Sequence, residues 1–434
     1  MYLYADLLKR ADADNPVKVG LIGAGKFGSM FLSQVPTTPG LHVHTIADLS
    51  PERARANCAE VGWPQELIDA TRFTDDSGAL LREGEVDVVV EATGNPVVGL
   101  MHARQAIENG LHIVMVNVEA DVLAGAALAK QAHSAGVVYS MAYGDQPALT
   151  CELIDWARSC GFEVIAAGKG TKYLPSYHAS TPDTVWDHYG LTAEQARAAG
   201  MNSQMFNSFL DGTKSALEMA AIANAANLAA PSNGLLFPAA GMDDLAHTLR
   251  PVSEGGQLEK KGQVEVVTSI ERDGRPVFKD LRWGVYVVME APNDYAAACF
   301  KQYGMNTDAS GRYSAMFKPF HLIGLELNIS ILSAALYNRP TGSTQTFNAD
   351  VVATAKRDLK AGETLDGEGG YTVWGKVLPA ETSLNIQGLP IGLAADVTLT
   401  HDVPAGHTLS WNDINVADND AVKFRRQMEL AYSK

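Results

Sequence analysis

The chain has 434 residues, 46% of them hydrophobic, with 39 glycines, four cysteines and a formal net charge of −16. That length allows two or three domains with substantial cores, and the composition suits an α/β enzyme rather than a fibrous or disordered protein. The acidic balance opposes non-specific binding to nucleic acid and no apolar run approaches a membrane span. Because no secretory signal opens the chain and the cysteines form no C-x-x-C, a reducing cytoplasmic setting is expected.

Residues 1–16 read as a polar leader with a short amphipathic docking helix. The run Val17 to Met30, VKVGLIGAGKFGSM, is an apolar strand that stops in a Gly-rich turn and continues as a helix over 26–35. Gly23, Gly25 and Gly28, with Lys26 and Phe27 between them, fit G-x-G-x-x-G: a tight turn, room for a pyrophosphate, and close helix–strand packing. A second strand, 41–47, ends at Asp48, placed to accept from a ribose 2′-hydroxyl or to serve as an ordinary strand-end turn residue. Asp48 favours NAD, whereas Arg53 and Arg55 just beyond keep NADP open. The valine run 85–91 is a strand covered on both faces, and it leads into Thr93, Gly94 and Asn95, a turn suited to border a nicotinamide. Helix 97–109, strand 112–116 with Asn117 behind it, helix 122–135 and strand 137–141 complete an alternation that predicts a doubly wound parallel sheet over 1–150.

Beyond residue 150 the pattern changes. A helix over 148–159, a strand over 162–168 and a long irregular stretch over 169–200 are expected, the last as a lid or binding loop. An Ala-rich helix over 211–230, a connector, strands at 263–270 and 283–290 and an R-D-G-R turn between or beside them suit an α+β substrate and dimerisation domain over 151–317. Residues 318–337 read as a helix returning to the first domain. From 345 onward, short strands alternate with the related turns D-L-K-A-G-E and D-V-P-A-G-H, as in a small all-β module with a solvated charged surface.

The motifs AGKFG, ADLS, EATGNP and VNVEAD resemble the nucleotide-binding half of the homoserine dehydrogenase superfamily. The segment AKRDLKAGETL resembles the SAF domain, and with KPFHLIGLE the combination resembles the DXR-like, or DRL, proteins. The resemblance implies a Rossmann-type first domain, an α+β second domain for substrate and dimerisation, and a C-terminal SAF-like domain over 345–434. It also implies NADP or NAD as cofactor, a homodimer, and reduction with rearrangement of 1-deoxy-D-xylulose 5-phosphate. Where homoserine dehydrogenases carry G-x-D-x-x-x-K, this chain has Gly212, Lys214 and Glu218, so acid and base are exchanged. Where they carry a lysine after the strand equivalent to 112–116, Val118 stands. Both departures point away from homoserine.

A reductoisomerase uses a divalent metal, Mg²⁺ or Mn²⁺, as Lewis acid and template, and such a cation wants carboxylates. Asp145 and Glu218 are the metal candidates, with Glu119 and Asp121 behind them; Asp145 also reads as a helix N-cap. Lys214 and Glu218 share one face of a mostly apolar helix, with Asp211 just ahead, and form the acid–base set. His321 is a further catalytic candidate or a satisfied imidazole opening a helix. Lys169, Lys172 and Ser176 read as a clamp for a phosphorylated substrate, or as a solvated loop.

Overall fold

The computed structural model describes residues 2–416 and 418–433. Contacts within the chain divide it into two units, Met1–Glu152 with His321–Gln345, and Leu153–Phe320 with Thr346–Lys434.

In the first unit six strands pair in parallel: β1 Val17–Ile22, β2 Leu41–Ala47, β3 Arg72–Thr74, β4 Val88–Glu91, β5 His112–Met115 and β6 Tyr139–Met141. Their order, β3-β2-β1-β4-β5-β6, reverses its direction of growth between β1 and β4, where ligands of doubly wound sheets sit beyond the carboxyl ends of the strands. Val88, Val89 and Val90 are fully buried, which accounts for the unbroken valines of β4. The leader forms a helix, Leu3–Asp12, that buries Leu3 and Leu7. Its Asp6 accepts a 2.6 Å hydrogen bond from the Tyr337 hydroxyl at the end of the helix Asn328–Tyr337.

Two boundaries in this unit differ from expectation. The helix Val118–Ala135 starts four residues early because Asn117 caps it, accepting from the Ala120 N–H at 3.1 Å, so Glu119 and Asp121 stand in its first turn. The expected helix over 318–337 is confined to Asn328–Tyr337. Lys318 ends a strand, Pro319 follows, and Gly324 is left-handed at φ 79°, so His321 lies in the irregular segment before the helix rather than opening it.

The second unit contains a mixed sheet of β7 Glu163–Thr171, β8 Gln263–Thr268, β9 Val285–Glu290 and β10 Tyr313–Lys318, in the order β10-β9-β7-β8. β7 is the organising strand, parallel to β8 and antiparallel to β9. The R-D-G-R turn therefore does not join β8 to β9. It closes a small ladder beside them, with Ile270 opposite Pro276 and the Glu271 N–H donating to the Arg275 carbonyl. The stretch 169–200 is more ordered than expected: pairing with β8 carries β7 on to Thr171, and short helices follow at Pro175–Ala179, Val185–Tyr189 and Ala193–Ala198. The Ala-rich helix runs only over Thr213–Ala226. Gly212, at φ 92°, separates it from the helix Ser203–Leu210, and Asn227, at φ 53°, ends it.

The C-terminal part of this unit holds two small antiparallel pairs, β11 Ala349–Ala355 with β13 Val373–Pro379 and β12 Thr364–Asp366 with β14 Ala395–Thr398. The two related turns meet each other. Asp402 accepts from the Ala361 N–H at 2.9 Å, and Asp358 accepts from the Ala405 N–H at 2.8 Å. This part is not all-β, since the helix Asp420–Tyr432 packs onto it. Nor is its charge wholly solvated: Arg425, with no exposed side-chain surface, meets Asp350 at 2.5 Å and Glu429 at 2.9 Å. The Ser383 hydroxyl donates to Asp350 at 2.6 Å.

Removing one partner of such a network strands the other charges in a low dielectric. Arg425→Met is expected to cost about 3–5 kcal/mol of stability, measured by urea denaturation.

Candidate functional site

At the carboxyl end of β1 the three glycines are not equivalent. Gly23 turns the chain at φ 94°, and a Cβ there would lie 2.8 Å from the Ala92 carbonyl oxygen. A Cβ on Gly28 would lie 2.4 Å from the Gly23 carbonyl oxygen, so the helix Lys26–Leu32 packs on the turn only with glycine. A Cβ on Gly25 would meet nothing within 4 Å beyond its chain neighbours, so the turn is open there, as a phosphate would need. Lys26 and Phe27 follow in the first turn of that helix, Lys26 exposed and Phe27 partly buried.

Asp48 does more than end β2. One carboxylate oxygen accepts from the Ala24 N–H in the glycine turn at 2.9 Å; the other accepts from the Ser50 N–H and the Arg53 guanidinium, each at 3.0 Å. The carboxylate thus braces the turn, and a ribose hydroxyl has to share it. Thr93 and Gly94 stand exposed after β4. The Thr93 hydroxyl donates to Glu91, whose carboxylate is fully buried and also meets His102 Nδ1 at 3.3 Å. His102 Nε2 in turn meets the Ser77 hydroxyl at 2.9 Å. The sequence reading missed this Ser77–His102–Glu91 chain because its members are scattered over three elements. Asn117 donates to the Asn95 carbonyl at 2.8 Å and pins the turn that carries Thr93 and Gly94. Asp121 is taken by the Tyr139 and Thr344 hydroxyls, at 2.9 and 2.8 Å, and burial pushes its carboxyl up to about 6. Asp145, buried after β6, accepts from the Gln146 N–H at 2.9 Å and directly precedes the helix Gln146–Ser159.

In the second unit the helix Thr213–Ala226 is buried at every residue but Lys214. Its acid, Glu218, forms an ion pair with Lys169 of β7; both side chains are buried. Asp211, wholly buried ahead of the helix, pairs at 2.8 Å with Lys356, which also donates to the Ser180 and Gly370 carbonyls. Burial holds the Asp211 carboxyl above its usual range against the pull of Lys356. Lys356 was not foreseen, since nothing in A-K-R-D marks it as the partner of a residue far upstream. The phosphate clamp is not assembled as expected. Lys169 is inside β7 on Glu218, Lys172 donates to the His188 carbonyl at 2.5 Å, and Ser176 is exposed in the short helix Pro175–Ala179. Glu265, also unforeseen, is fully buried on β8 and accepts from the N–H groups of Leu236, Phe237 and Val266. Burial pushes its carboxyl up to about 7.

Two measurements follow from this geometry. Gly25→Ala is expected to keep stability within about 1 kcal/mol while weakening NADH and NADPH binding roughly tenfold or more, whereas Gly28→Ala lowers Tm outright. The Glu265 carboxyl keeps its proton in the folded state up to about 7, against a usual value of 4.5. Across that window the folded state binds more protons than the unfolded one, so Glu265 makes stability fall as pH rises. Glu265→Gln is expected to flatten that slope in urea titrations between these limits, whatever its absolute stability.

Residues 17–143 match the oxidoreductase family with an NAD-binding Rossmann fold, and residues 144–327 match the catalytic domain described as oxidoreductase DRL. Homoserine dehydrogenase from Neisseria gonorrhoeae (strain ATCC 700825 / FA 1090) is 31% identical over 111 residues, covering 24% of this chain and only 23% of that relative. Among solved structures, myo-inositol dehydrogenase from Lactobacillus casei is 14% identical over 63% of this chain and 71% of its own, with a TM-score of 0.34. UDP-N-acetylglucosamine 3-dehydrogenase from Acidithiobacillus ferrooxidans is 21% identical over 37% and 49%, with a TM-score of 0.26. No helix among the described residues is long and apolar enough to cross a membrane. The chain is therefore a homologue of the DRL and homoserine-dehydrogenase-like oxidoreductases, with an NAD-binding Rossmann fold over residues 17–143.

Proposed function

We propose that this oxidoreductase acts on a small phosphorylated hydroxy-ketone, in its most concrete form as a 1-deoxy-D-xylulose 5-phosphate reductoisomerase. The observation that carries the reading is the match of residues 144–327 to the DRL catalytic domain. When bound, the dinucleotide supplies the hydride. Lys214, the one residue of its helix that is not buried, is the proton donor to the carbonyl oxygen. The Lys169–Glu218 and Asp211–Lys356 pairs hold that helix, and hence Lys214, in place. Asp145 and His321 are kept as further candidates, and the resemblance alone supports a cytoplasmic homodimer with a SAF-like C-terminal module.

The residues do not fit a divalent cation. Among the described residues no group of three or more His, Cys, Asp or Glu gathers to hold one, and the Glu218 carboxylate already carries an ammonium. This favours a second reading, a dehydrogenase or reductase of a polyol, hydroxy acid or sugar phosphate that leaves the carbon skeleton intact.

The test is consumption of NADPH and, separately, NADH with 1-deoxy-D-xylulose 5-phosphate, with and without Mn²⁺, the product identified by NMR. A metal-dependent branched polyol phosphate establishes the reductoisomerase; metal-independent reduction to an unbranched product establishes the second reading. Absence of turnover under conditions where dinucleotide binds overturns this substrate. With the substrate in hand, Lys214→Met is expected to lower kcat roughly a hundredfold or more while dinucleotide affinity holds.

A further inference from the structure

The second unit contains a half-open cavity of about 210 Å³ that no part of the proposed reaction uses. It lies where the 231–237 segment, the start of the helix Thr213–Ala226 and β13 come together. Ala216 lines it, and Ala216 lies two positions beyond Lys214, about 200° around the helix. The cavity is therefore on the helix face away from Lys214 and Glu218.

Its walls are rigid and mostly flat. The Trp374 ring stacks on His178 with centroids 3.7 Å apart and planes 19° apart, and Phe237 stacks on Tyr173 at 3.7 Å and 18°. His178 is locked: its Nδ1–H donates to the Asp211 carbonyl at 2.7 Å, which leaves Nε2 to accept from the Tyr173 hydroxyl at 2.8 Å. Phe237 holds φ 50°, a left-handed conformation that a bulky residue rarely adopts. Four anchors impose it: Glu265 accepts from the Leu236 and Phe237 N–H groups, and Arg272 donates to both carbonyls. Strain over-determined in this way gathers at ligand clamps.

The charge in the cavity is unbalanced. Each buried lysine of this unit's interior has a carboxylate, Lys169 in Glu218 and Lys356 in Asp211. Lys376 is half-buried, and its ammonium donates to the neutral Asn233 amide oxygen at 2.5 Å, with no carboxylate paired to it among the described residues. Desolvation moves its pKa downward. An ammonium in that setting gains from an anion brought by a ligand. At roughly 30 Å³ per water the cavity has room for about seven waters, below the range of drug-sized pockets, so the ligand is small.

We propose that this cavity is a second ligand site, for a small organic anion whose carboxylate or phosphate sits on Lys376 and Asn233 and whose body lies against Trp374 and Phe237. The proposal does not depend on the substrate of the oxidoreductase.

Full-length protein is titrated calorimetrically with benzoate and with inorganic phosphate at constant ionic strength, alongside K376M, K376R and, as a control, K172M. Saturable binding of at least one anion is expected, weakened roughly tenfold or more in K376M and kept within a few-fold in K376R and K172M. Absence of saturable binding of either anion, or equal affinity in K376M, overturns the proposal. Tighter binding of benzoate marks a carboxylate-bearing ring as the ligand class, and tighter binding of phosphate a phosphate ester. A second measurement needs no variant. Reductive methylation of the wild-type protein, read by mass spectrometry, is expected to slow at Lys376 and not at Lys172 when the anion is present; equal rates at Lys376 with and without it overturn the site.

Discussion

The helix Thr213–Ala226 has almost no solvent face, and the second unit is arranged around that fact. Most of the polar groups it carries are paired inside the protein, because an unmet buried donor or charge costs more than a made bond returns. Glu218 takes Lys169 from the central strand of the sheet. Asn224 donates to the Ala349 carbonyl and accepts from the Asn348 and Ala349 N–H groups. The Thr213 hydroxyl accepts from the Gly375 N–H of β13 at 2.8 Å. The same helix thus joins the mixed sheet on one side to the C-terminal strands on the other, and Lys214 is its one residue that is not fully buried.

The first unit is governed by crowding instead of charge. Where β1 passes into its helix, the backbone of the turn, the Ala92 carbonyl and the helix approach so closely that side chains are excluded at two of the three glycines. Asp48 then binds the turn to the end of β2 through the Ala24 N–H. The residue whose spacing suggests a ribose contact is thus part of the frame of the turn. Arg53 pairs with that carboxylate as well, at 3.0 Å.

The C-terminal segment shows how a weak sequence repeat becomes a structural device. The two D-x-x-A-G turns lie side by side, and each aspartate caps the N–H of the other turn's alanine. Leu359 and Val403 form the backbone bridge between them and are both buried. The final helix is then locked on by Arg425, whose charge is met by Asp350 from β11 and Glu429 from its own helix.

Local patterns determined a good deal by themselves. The alternation of strands and helices over the first 150 residues, the glycine turn, the apolar face of the leader helix and the paired turns near the C-terminus were all legible, because each depends on residues close together in the chain. Helix limits were less legible where a cap or a left-handed residue decided them, as at Asn117, Gly212 and Gly324. The tertiary structure alone decided which charges meet. Lys169 reads as a phosphate ligand until Glu218 is found opposite it, and Lys356, Glu265 and Arg425 carry no local signal at all. Burial turns such residues from surface charges into obligate partners, and burial is a property of the packed chain: Asp211 and Lys356, or Asp350 and Arg425, become neighbours only once the sheet, the central helix and the C-terminal strands have closed around them.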